Sequence, residues 1–150
     1  MAKHEWSLDE LKHKAEAYCA SAEHCSSDVQ TKLLQWGASA NDIEQIILHL
    51  KSQNYINEER YCRSFAHDKL LYQGWGRRKI QAALFAKRLP SSIIDQALES
   101  INETEYFDTL KRIIATKKRS IKANDSQARE KMIRFCMQRG FTYDEIGDLV

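Results

Sequence analysis

The chain has 150 residues, of which 43% are hydrophobic and 29% charged, and its formal net charge is +2. This length suits one domain or a short array of small modules. No apolar run approaches the ~20 residues of a membrane-spanning helix, and no apolar stretch follows Lys3 as it would in a signal peptide. We therefore expect neither a membrane protein nor an exported one.

The composition predicts helices. Pro90 is the only proline, and the chain has only five glycines. Ala, Leu, Ile, Lys, Glu and Gln are abundant, and most of these residues favour helices. Alternating apolar and polar runs typical of strands are missing. We expect an all-α protein.

The first predicted helix opens at Ser7, because a Ser followed three residues later by Glu10 forms a capping box. Asn57 holds the equivalent position later in the chain, and Asn102 with Glu105 repeats the pattern again. Three separate helices are therefore expected to start in the same way.

Two shorter helices are predicted after the first one. Val29, Leu33 and Leu34 mark one helical stripe, and a second stripe begins at Ile43. Gly37 lies between the stripes, where a glycine can close the earlier helix in a left-handed conformation. The pattern therefore predicts a turn followed by a third helix, which Ser39 would cap.

This pattern occurs three times, at offsets of 51 and then 52 residues. The aligned apolar positions are Val29, Leu33, Leu34, Ile43, Ile46 and Ile47; Ile80, Leu84, Phe85, Ile94, Ala97 and Leu98; and Met132, Cys136, Met137, Ile146, Leu149 and Val150. We predict three tandem three-helix repeats, at residues 1–56, 57–101 and 102–150. Stacked repeats would form an elongated, curved array. The alternative is one compact bundle of nine helices.

The segment "YQGWGRRKI" at residues 72–80 joins the first and second helices of repeat 2. Gly74 and Gly76 predict a turn there, and a helix is expected to begin near Gly76. Three cations follow in a row: Arg77, Arg78 and Lys79. The first turn of such a helix offers unpaired N–H groups. Cations there oppose the helix dipole, which makes an anionic partner plausible. The alternative is simple solvent exposure. The Trp75 indole could pack beneath the turn or face a partner.

Positive charge is concentrated in the middle of the chain. Residues 61–139 hold 17 Lys and Arg against 8 Asp and Glu, whereas residues 1–60 hold 6 against 10. A second candidate cluster comprises Lys111, Arg112, Lys117, Lys118, Arg119 and Lys122. It could contact a DNA backbone through phosphates, or it could be a solvated loop. We expect most of its members to lie in the connection after the helix.

Catalytic and metal-binding patterns are missing from the sequence. There is no phosphate-binding GxxxxGK[ST] loop and no GxSxG nucleophile motif. Cys19 and Cys25 lack the spacing of a zinc site, and no second pair completes one. We predict that these cysteines, together with Cys62 and Cys136, are reduced thiols on apolar helix faces. We expect no enzyme, no metal and no cofactor.

The run "NEERYCRSFAHDKLLYQGWGRRKIQAALFAKRLPSSIIDQALESI" resembles the middle repeat of the RecX family of bacterial regulators of the RecA recombinase. The matching elements are the acidic start at 57–59, the aromatic residues Tyr61 and Phe65, the turn at 74–76, the basic-to-Ile step at 77–80, and Leu84. The run "HCSSDVQTKLLQWGASANDIEQIILHLKSQNYINEERY" is similar to the first repeat of that family. The resemblance covers residues 7 to 150.

The resemblance implies tandem three-helix repeats and a cytoplasmic, non-enzymatic modulator, which we expect to be monomeric. Such proteins lie in the groove of the RecA–DNA filament. They block filament extension or promote disassembly, and so reduce strand exchange, ATP hydrolysis and co-protease activity. The partners expected for this chain are therefore the RecA filament and single- or double-stranded DNA. The candidate contact residues are the two basic clusters and Trp75.

Two other functions are compatible with the sequence. A helical nucleic-acid-binding module could use the same cations without any recombinase. A protein-interaction scaffold could instead use the acidic first repeat, including Glu10, Glu16 and Glu23.

Overall fold

The computed structural model describes residues 5–150, and this part of the chain contains helices, turns and no strand. The helices are α1 (Leu8–Ser21), α2 (Ser26–Gln35), α3 (Ala40–Ser52), α4 (Glu58–Gln73), α5 (Arg77–Ala86), α6 (Ser91–Glu99), α7 (Glu103–Lys118), α8 (Ala128–Gln138) and α9 (Tyr143–Gly147). The prediction of an all-α fold is confirmed. No helix in the described residues is long and apolar enough to cross a membrane.

Helices α1, α4 and α7 begin at the predicted capping residues. The Ser7 hydroxyl accepts a hydrogen bond from the Glu10 amide, and the Glu10 carboxylate accepts one from the Ser7 amide. Asn57 and Asn102 accept bonds from amides three residues further on. Each cap satisfies an amide that the helix itself leaves unpaired. The third helices α3 and α9 are capped in the same manner by Ser39 and Thr142.

The second helix of each repeat ends in a left-handed residue at equivalent positions. Gly37 has a φ of 84° and Gly140 a φ of 98°, as the sequence predicts. In repeat 2 the left-handed residue is Arg88, with a φ of 63°. Pro90 lies two residues further on and is the N-cap of α6. A left-handed arginine is strained by about 1 to 2 kcal/mol relative to glycine.

The chain divides into two compact units, one ending at Tyr61 and the other running over Cys62–Val150. In the first unit α1 packs against both α2 and α3. Its core contains Leu11, Val29, Leu33 and Ile46, each no more than 2% exposed. This packing is the predicted three-helix repeat. The division falls inside α4, and the repeat boundaries at residues 56 and 101 remain a prediction.

The second unit contains the other two repeats, in which α5 packs against α6 and α8 packs against α7 and α9. Three of the aligned apolar positions are buried in every repeat. They are occupied by Val29, Ile80 and Met132; by Leu33, Leu84 and Cys136; and by Ile43, Ile94 and Ile146. The threefold alignment therefore predicts the core residues correctly at these positions.

One aligned apolar position is exposed in all three repeats. Leu34 is 58% exposed, Phe85 72% and Met137 45%. Each follows a fully buried residue by one position, and a one-residue step rotates a side chain about 100° around the helix axis. The prediction that Leu34 belongs to the buried stripe of its helix is therefore wrong, and the same holds for its two counterparts.

Repeats 2 and 3 meet at two glycines. The Gly76 amide donates to the Arg139 carbonyl oxygen at 2.7 Å, and the Arg78 amide donates to the Gly140 carbonyl oxygen at 3.1 Å. A Cβ atom on Gly76 would lie 2.5 Å from the Gly140 backbone, and one on Gly140 would lie 2.5 Å from the Lys79 amide nitrogen. Both positions thus require glycine because the two backbones touch.

A buried tyrosine completes this junction. The Tyr106 side chain is fully buried, and its hydroxyl accepts from the Arg77 amide at 3.2 Å and donates to Glu145 Oε1 at 3.1 Å. The same Glu145 oxygen accepts from the Thr142 amide at 2.8 Å, which closes the capping box of α9. Burial is the main cause that raises the pKa of Tyr106 far above its ordinary value. One hydroxyl therefore links the start of α5 to the start of α9.

We expect Tyr106→Phe to lower the free energy of unfolding of the second unit by about 1 to 3 kcal/mol. The substitution removes only the hydroxyl, which leaves the part-buried Arg77 amide without its acceptor and the Glu145 carboxylate with one donor fewer. Chemical unfolding followed by circular dichroism measures the change. Tyr143→Phe is the matched control, because Tyr143 is 53% exposed. An equal effect of the two substitutions would contradict this role of the hydroxyl.

The four cysteines are free and buried, as predicted. Cys25 and Cys136 have no exposed surface, and Cys19 has 9%. Burial, together with the nearby charge of Glu23, raises the pKa of Cys19 from 9.0 to about 11. Burial also raises the pKa values of Cys25 and Cys136.

Stability is expected to fall as the pH rises from about 9 to about 11. The unfolded Cys19 thiol ionises near 9.0, whereas the folded one ionises near 11, so the contribution of the protonated thiol is complete below pH 9. It is lost as the pH rises through the folded pKa. Thermal unfolding at stepped pH measures this decline, which Cys19→Ala should make shallower. An unchanged slope in Cys19→Ala would show that Cys19 does not contribute.

Candidate nucleic-acid interface

The turn at residues 74–76 presents an aromatic ring between two lysines. The Trp75 indole is half-buried and meets the Phe65 ring edge to face, at 6.3 Å between centroids. Lys69 Nζ lies 4.8 Å from the Trp75 ring centroid and Lys79 Nζ lies 4.6 Å from it. Both distances are typical of cation–π contacts. Trp75 therefore packs against its own helix α4 while lysines flank its ring.

The amide of the N-cap Gly76 and the first two amides of α5 are already bonded within the protein. The sequence suggested that this first turn offers unpaired N–H groups. The amides of Gly76, Arg77 and Arg78 instead donate to the Arg139 carbonyl, the Tyr106 hydroxyl and the Gly140 carbonyl, respectively. For these three amides that expectation is wrong, because the third repeat packs directly onto the helix N-terminus.

Arg77 is engaged inside the protein. Its guanidinium lies 4.1 Å from the Tyr106 ring centroid and forms ion pairs with Glu103 at 2.5 Å and Glu145 at 3.8 Å. Its Nε donates to the Leu98 carbonyl oxygen at 3.3 Å. These carboxylates compensate the unfavourable position of Arg77 at the helix N-terminus.

Arg78 and Lys79 differ from Arg77 in their surroundings. Both are exposed, and Lys79 points its ammonium group toward Trp75. Of the predicted triplet, these two remain accessible to a partner. Whether they contact RecA or DNA stays a prediction.

The second basic cluster lies mostly on a helix. Helix α7 extends to Lys118, and Arg119 is its C-cap. Only Lys122 lies beyond that cap, so the prediction that most of the cluster lies in the connecting loop is wrong. Lys117 and Lys118 lie in the last turn of α7, where cations favour the helix dipole. Lys111, Arg112, Lys118, Arg119 and Lys122 are exposed, and Lys117 is half-buried.

Helices α7 and α8 border an open cleft with two adjoining cavities of about 610 and 510 Å³. The two cavities share Lys117, Ser120 and Phe135. We name this feature the α7–α8 cleft. Its cations are Arg112, Lys117, Lys122, Lys131, Arg134 and Arg139. One carboxylate, Asp125, lines it as well, so the cleft is strongly positive.

Three cations of the cleft were not among the predicted site residues. Lys131, Arg134 and Arg139 lie on α8 or at its end, 14 to 22 residues after Lys117. Lys131 and Arg134 are three residues apart and so share a helix face. That spacing is visible in the sequence, but nothing there indicates that this face is turned toward α7.

The cleft also contains aromatic surface. Phe135 is half-buried, with Lys117 Nζ 4.7 Å and Arg139 Cζ 4.8 Å from its ring centroid. Tyr72 lines the other end of the cleft and is 76% exposed. Cations for phosphates beside an exposed ring for a base are the elements that single-stranded nucleic-acid sites combine.

The connection between α7 and α8 is fastened beside the cleft by Asp125. Its carboxylate pairs with Lys131 Nζ at 2.5 Å and accepts from the Gln127 amide at 2.9 Å. These bonds hold the pKa of Asp125 below its ordinary value. Lys131 is thus partly neutralised, whereas no ion pair engages Lys122 or Arg134 among the described residues.

We find no arrangement suited to metal binding in residues 5–150, since no three His, Cys, Asp or Glu side chains are grouped there. The cleft and the aromatic turn are thus recognition surfaces built from cations and rings. Their chemistry is suited to polyanions and to acidic protein surfaces.

Comparison with known proteins identifies the family. The model for the second three-helix domain of RecX matches residues 57–98, and that for the third three-helix domain matches residues 103–150. The regulatory protein RecX of Vibrio campbellii is 34% identical over 126 residues, which are 83% of this chain and 79% of that protein. The chain belongs to the RecX family. The RecX of Vibrio parahaemolyticus serotype O3:K6 is 31% identical over 125 residues, with the same coverage.

Solved structures of RecX proteins share the fold. The crystal structure of RecX from Lactobacillus salivarius has a TM-score of 0.80 at 19% identity, covering 95% of this chain and 93% of that one. A second RecX crystal structure has a TM-score of 0.82 at 18% identity, covering 99% of this chain and 81% of that one. The resemblance to the RecX family and the prediction of tandem three-helix repeats are both confirmed. Regulatory proteins make up this family, and a regulatory role follows for this chain.

Proposed function

We propose that this chain is a negative regulator of RecA, which binds in the groove of the RecA–DNA filament and lowers recombinase, ATPase and co-protease activities. The observation that carries the proposal is the α7–α8 cleft, where six cations and one carboxylate lie beside exposed aromatic surface in a member of the RecX family. A filament of protein and DNA offers both phosphates and carboxylates to such a surface.

The proposed contacts in this cleft are Arg112, Lys117 and Lys122. Lys111, Lys118 and Arg119, on α7 or at its C-cap, are proposed contacts outside the cleft. Arg78, Lys79 and Trp75 form a second contact region on the turn before α5. Arg77 belongs to the protein's own packing, since Glu103 and Glu145 already pair with it. We therefore propose that Arg77 does not contact the partner but holds the start of α5 in position.

The direct test adds the protein to a preformed RecA–single-stranded-DNA filament and follows ATP hydrolysis and strand exchange. We expect both rates to fall as the protein is titrated in. Unchanged rates up to a large molar excess over RecA would contradict the proposal. A rise in either rate would show a regulator of the opposite sign.

A second function is compatible with the same cleft. Cations next to Tyr72 and Phe135 also fit a helical module that binds single-stranded nucleic acid without RecA. Fluorescence anisotropy separates the two functions. Binding to bare DNA that is as tight as binding to the filament, with no binding to RecA alone, would favour the second one.

The acidic scaffold function has less support. Glu16 accepts a hydrogen bond from His49 Nε2 at 3.2 Å, which holds its pKa below the ordinary value. Glu23 pairs with Arg60 at 2.5 Å, and Glu10 caps α1. These three carboxylates already stabilise the first unit, so we do not propose them as a docking surface.

A further inference from the structure

Two cavities in the second unit occupy equivalent places in repeats 2 and 3. The first, about 240 Å³, is lined by Arg78, Gln81, Ala82, Phe85, Ser91, Ile94 and Asp95. The second, about 650 Å³, is lined by Arg129, Glu130, Ile133, Arg134, Met137, Gln138 and Tyr143. We call them notch 2 and notch 3. Both open between the second and third helices of their repeat.

The equivalence extends to individual residues. Five positions that line notch 2 recur in notch 3 after 52 residues, which is the repeat offset found in the sequence. The most prominent pair is Phe85 and Met137, which are 72% and 45% exposed. Solvent-exposed large apolar side chains at one repeated position have no role in the core, and such positions commonly mark protein contacts.

From these paired notches we propose that each binds an apolar side chain next to a carboxylate, presented by two successive subunits of the RecA filament. This inference rests on the proposed function and names the protein surface that the filament uses. Sites at equivalent positions of two repeats, each with an exposed apolar side chain and at least one arginine, suit a partner that presents the same element repeatedly, and a helical polymer does so.

The arginines that line the notches are the reason why we expect a carboxylate on the partner. Notch 2 includes the exposed Arg78 together with Asp95, and notch 3 includes Arg129 and Arg134 together with Glu130. No ion pair engages these three arginines within the described part of the chain. A carboxylate beside the docked side chain would gain a charge-assisted hydrogen bond from each notch.

Notch 3 is also continuous with the α7–α8 cleft, since Arg134 lines both. Notch 2 likewise includes Arg78, a neighbour of the turn at Trp75. One bound filament could therefore place its DNA along the cleft and its protein subunits in the notches. Two linked weak contacts bind far more tightly than either contact alone.

The test compares Phe85→Ser, Met137→Ser and the double variant with wild type, using the preformed RecA–single-stranded-DNA filament as the probe. We expect each single substitution to weaken filament binding about ten-fold and the double substitution about 100-fold. Affinity for bare single-stranded DNA should stay within about two-fold of wild type. Leu48→Ser is the matched control, because Leu48 is 62% exposed and lines neither notch.

Thermal unfolding verifies that all variants fold, since the replaced side chains are exposed. If the double variant binds the filament within about two-fold of wild type, the proposed binding role of the notches is contradicted. An equal loss on bare DNA would overturn them as well, because the notches would then bind nucleic acid. Failure of the wild type itself to bind the filament would instead contradict the proposed function.

Discussion

Gly140→Ala is expected to destabilise the second unit by about 2 to 5 kcal/mol, because backbone strain and a steric overlap add at this one position. Alanine in the left-handed conformation of Gly140, with its φ of 98°, is strained by about 1 to 2 kcal/mol. Its Cβ would also lie 2.5 Å from the Lys79 amide nitrogen. Relieving that overlap costs about 1 to 3 kcal/mol more, because the Arg78 amide is bonded to the Gly140 carbonyl.

Gly37→Ala is the matched control for this effect. Gly37 holds the equivalent position in the first repeat, with a φ of 84°, but a Cβ there would meet nothing within 4 Å. It should therefore show only the backbone strain of about 1 to 2 kcal/mol. Hydrogen exchange measured by mass spectrometry reports on α8 and α2 separately. Equal losses of protection in α8 for Gly140→Ala and in α2 for Gly37→Ala would contradict the close contact of repeats 2 and 3.

The double substitution Arg112→Glu with Lys122→Glu is expected to weaken binding to the RecA–DNA filament about 100-fold. Both side chains are exposed and line opposite ends of the α7–α8 cleft. Loss of two charge-assisted contacts, each of about 1.5 kcal/mol, accounts for a change of this size. If both contacts are to phosphates, the slope of log affinity against log salt should become shallower by about 1.4.

Lys51→Glu with Arg63→Glu provides a control with the same change in net charge. Lys51 and Arg63 are exposed and line neither cavity of the cleft. We expect less than about a three-fold loss of affinity for this pair, reflecting long-range attraction alone. If the control variant binds the filament as weakly as the cleft variant does, then net charge, and not the cleft, governs the interaction.

Local patterns in the sequence predict the helices and their caps, because each depends on residues within one turn. Ser7, Asn102 and Thr142 act on amides three residues away, and the structure has these bonds. The repeated spacing also predicts which side chains are buried at three of the aligned positions. Helix periodicity and capping chemistry are short-range properties, and a single sequence contains them in full.

Contacts between repeats were not predictable in this way. The sequence explains Gly76 as part of a turn, but the close approach to Gly140 is what excludes any side chain there. From the sequence alone, Arg77 is interpreted as a free cation. Its partners Glu103 and Glu145 lie 26 and 68 residues away in the sequence, and only the fold brings them beside it. The cations of α8 complete the cleft for the same reason, because only the fold turns them toward α7.

At one aligned position of the repeats, the apolar pattern alone leads to a wrong prediction of burial. Leu34, Phe85 and Met137 look like core residues because they are apolar in every copy. They are exposed because each lies one residue beyond the buried stripe. An apolar residue that recurs off the buried stripe of an amphipathic helix is therefore not evidence of a core position.

Electron microscopy of a RecA–single-stranded-DNA filament saturated with this protein tests the proposed mode of action most directly. We predict helical density along the filament groove, with the α7–α8 cleft facing the DNA and Phe85 and Met137 against neighbouring RecA subunits. Density confined to the filament ends, or a bound chain whose α7–α8 cleft faces solvent, would contradict binding in the groove through this surface.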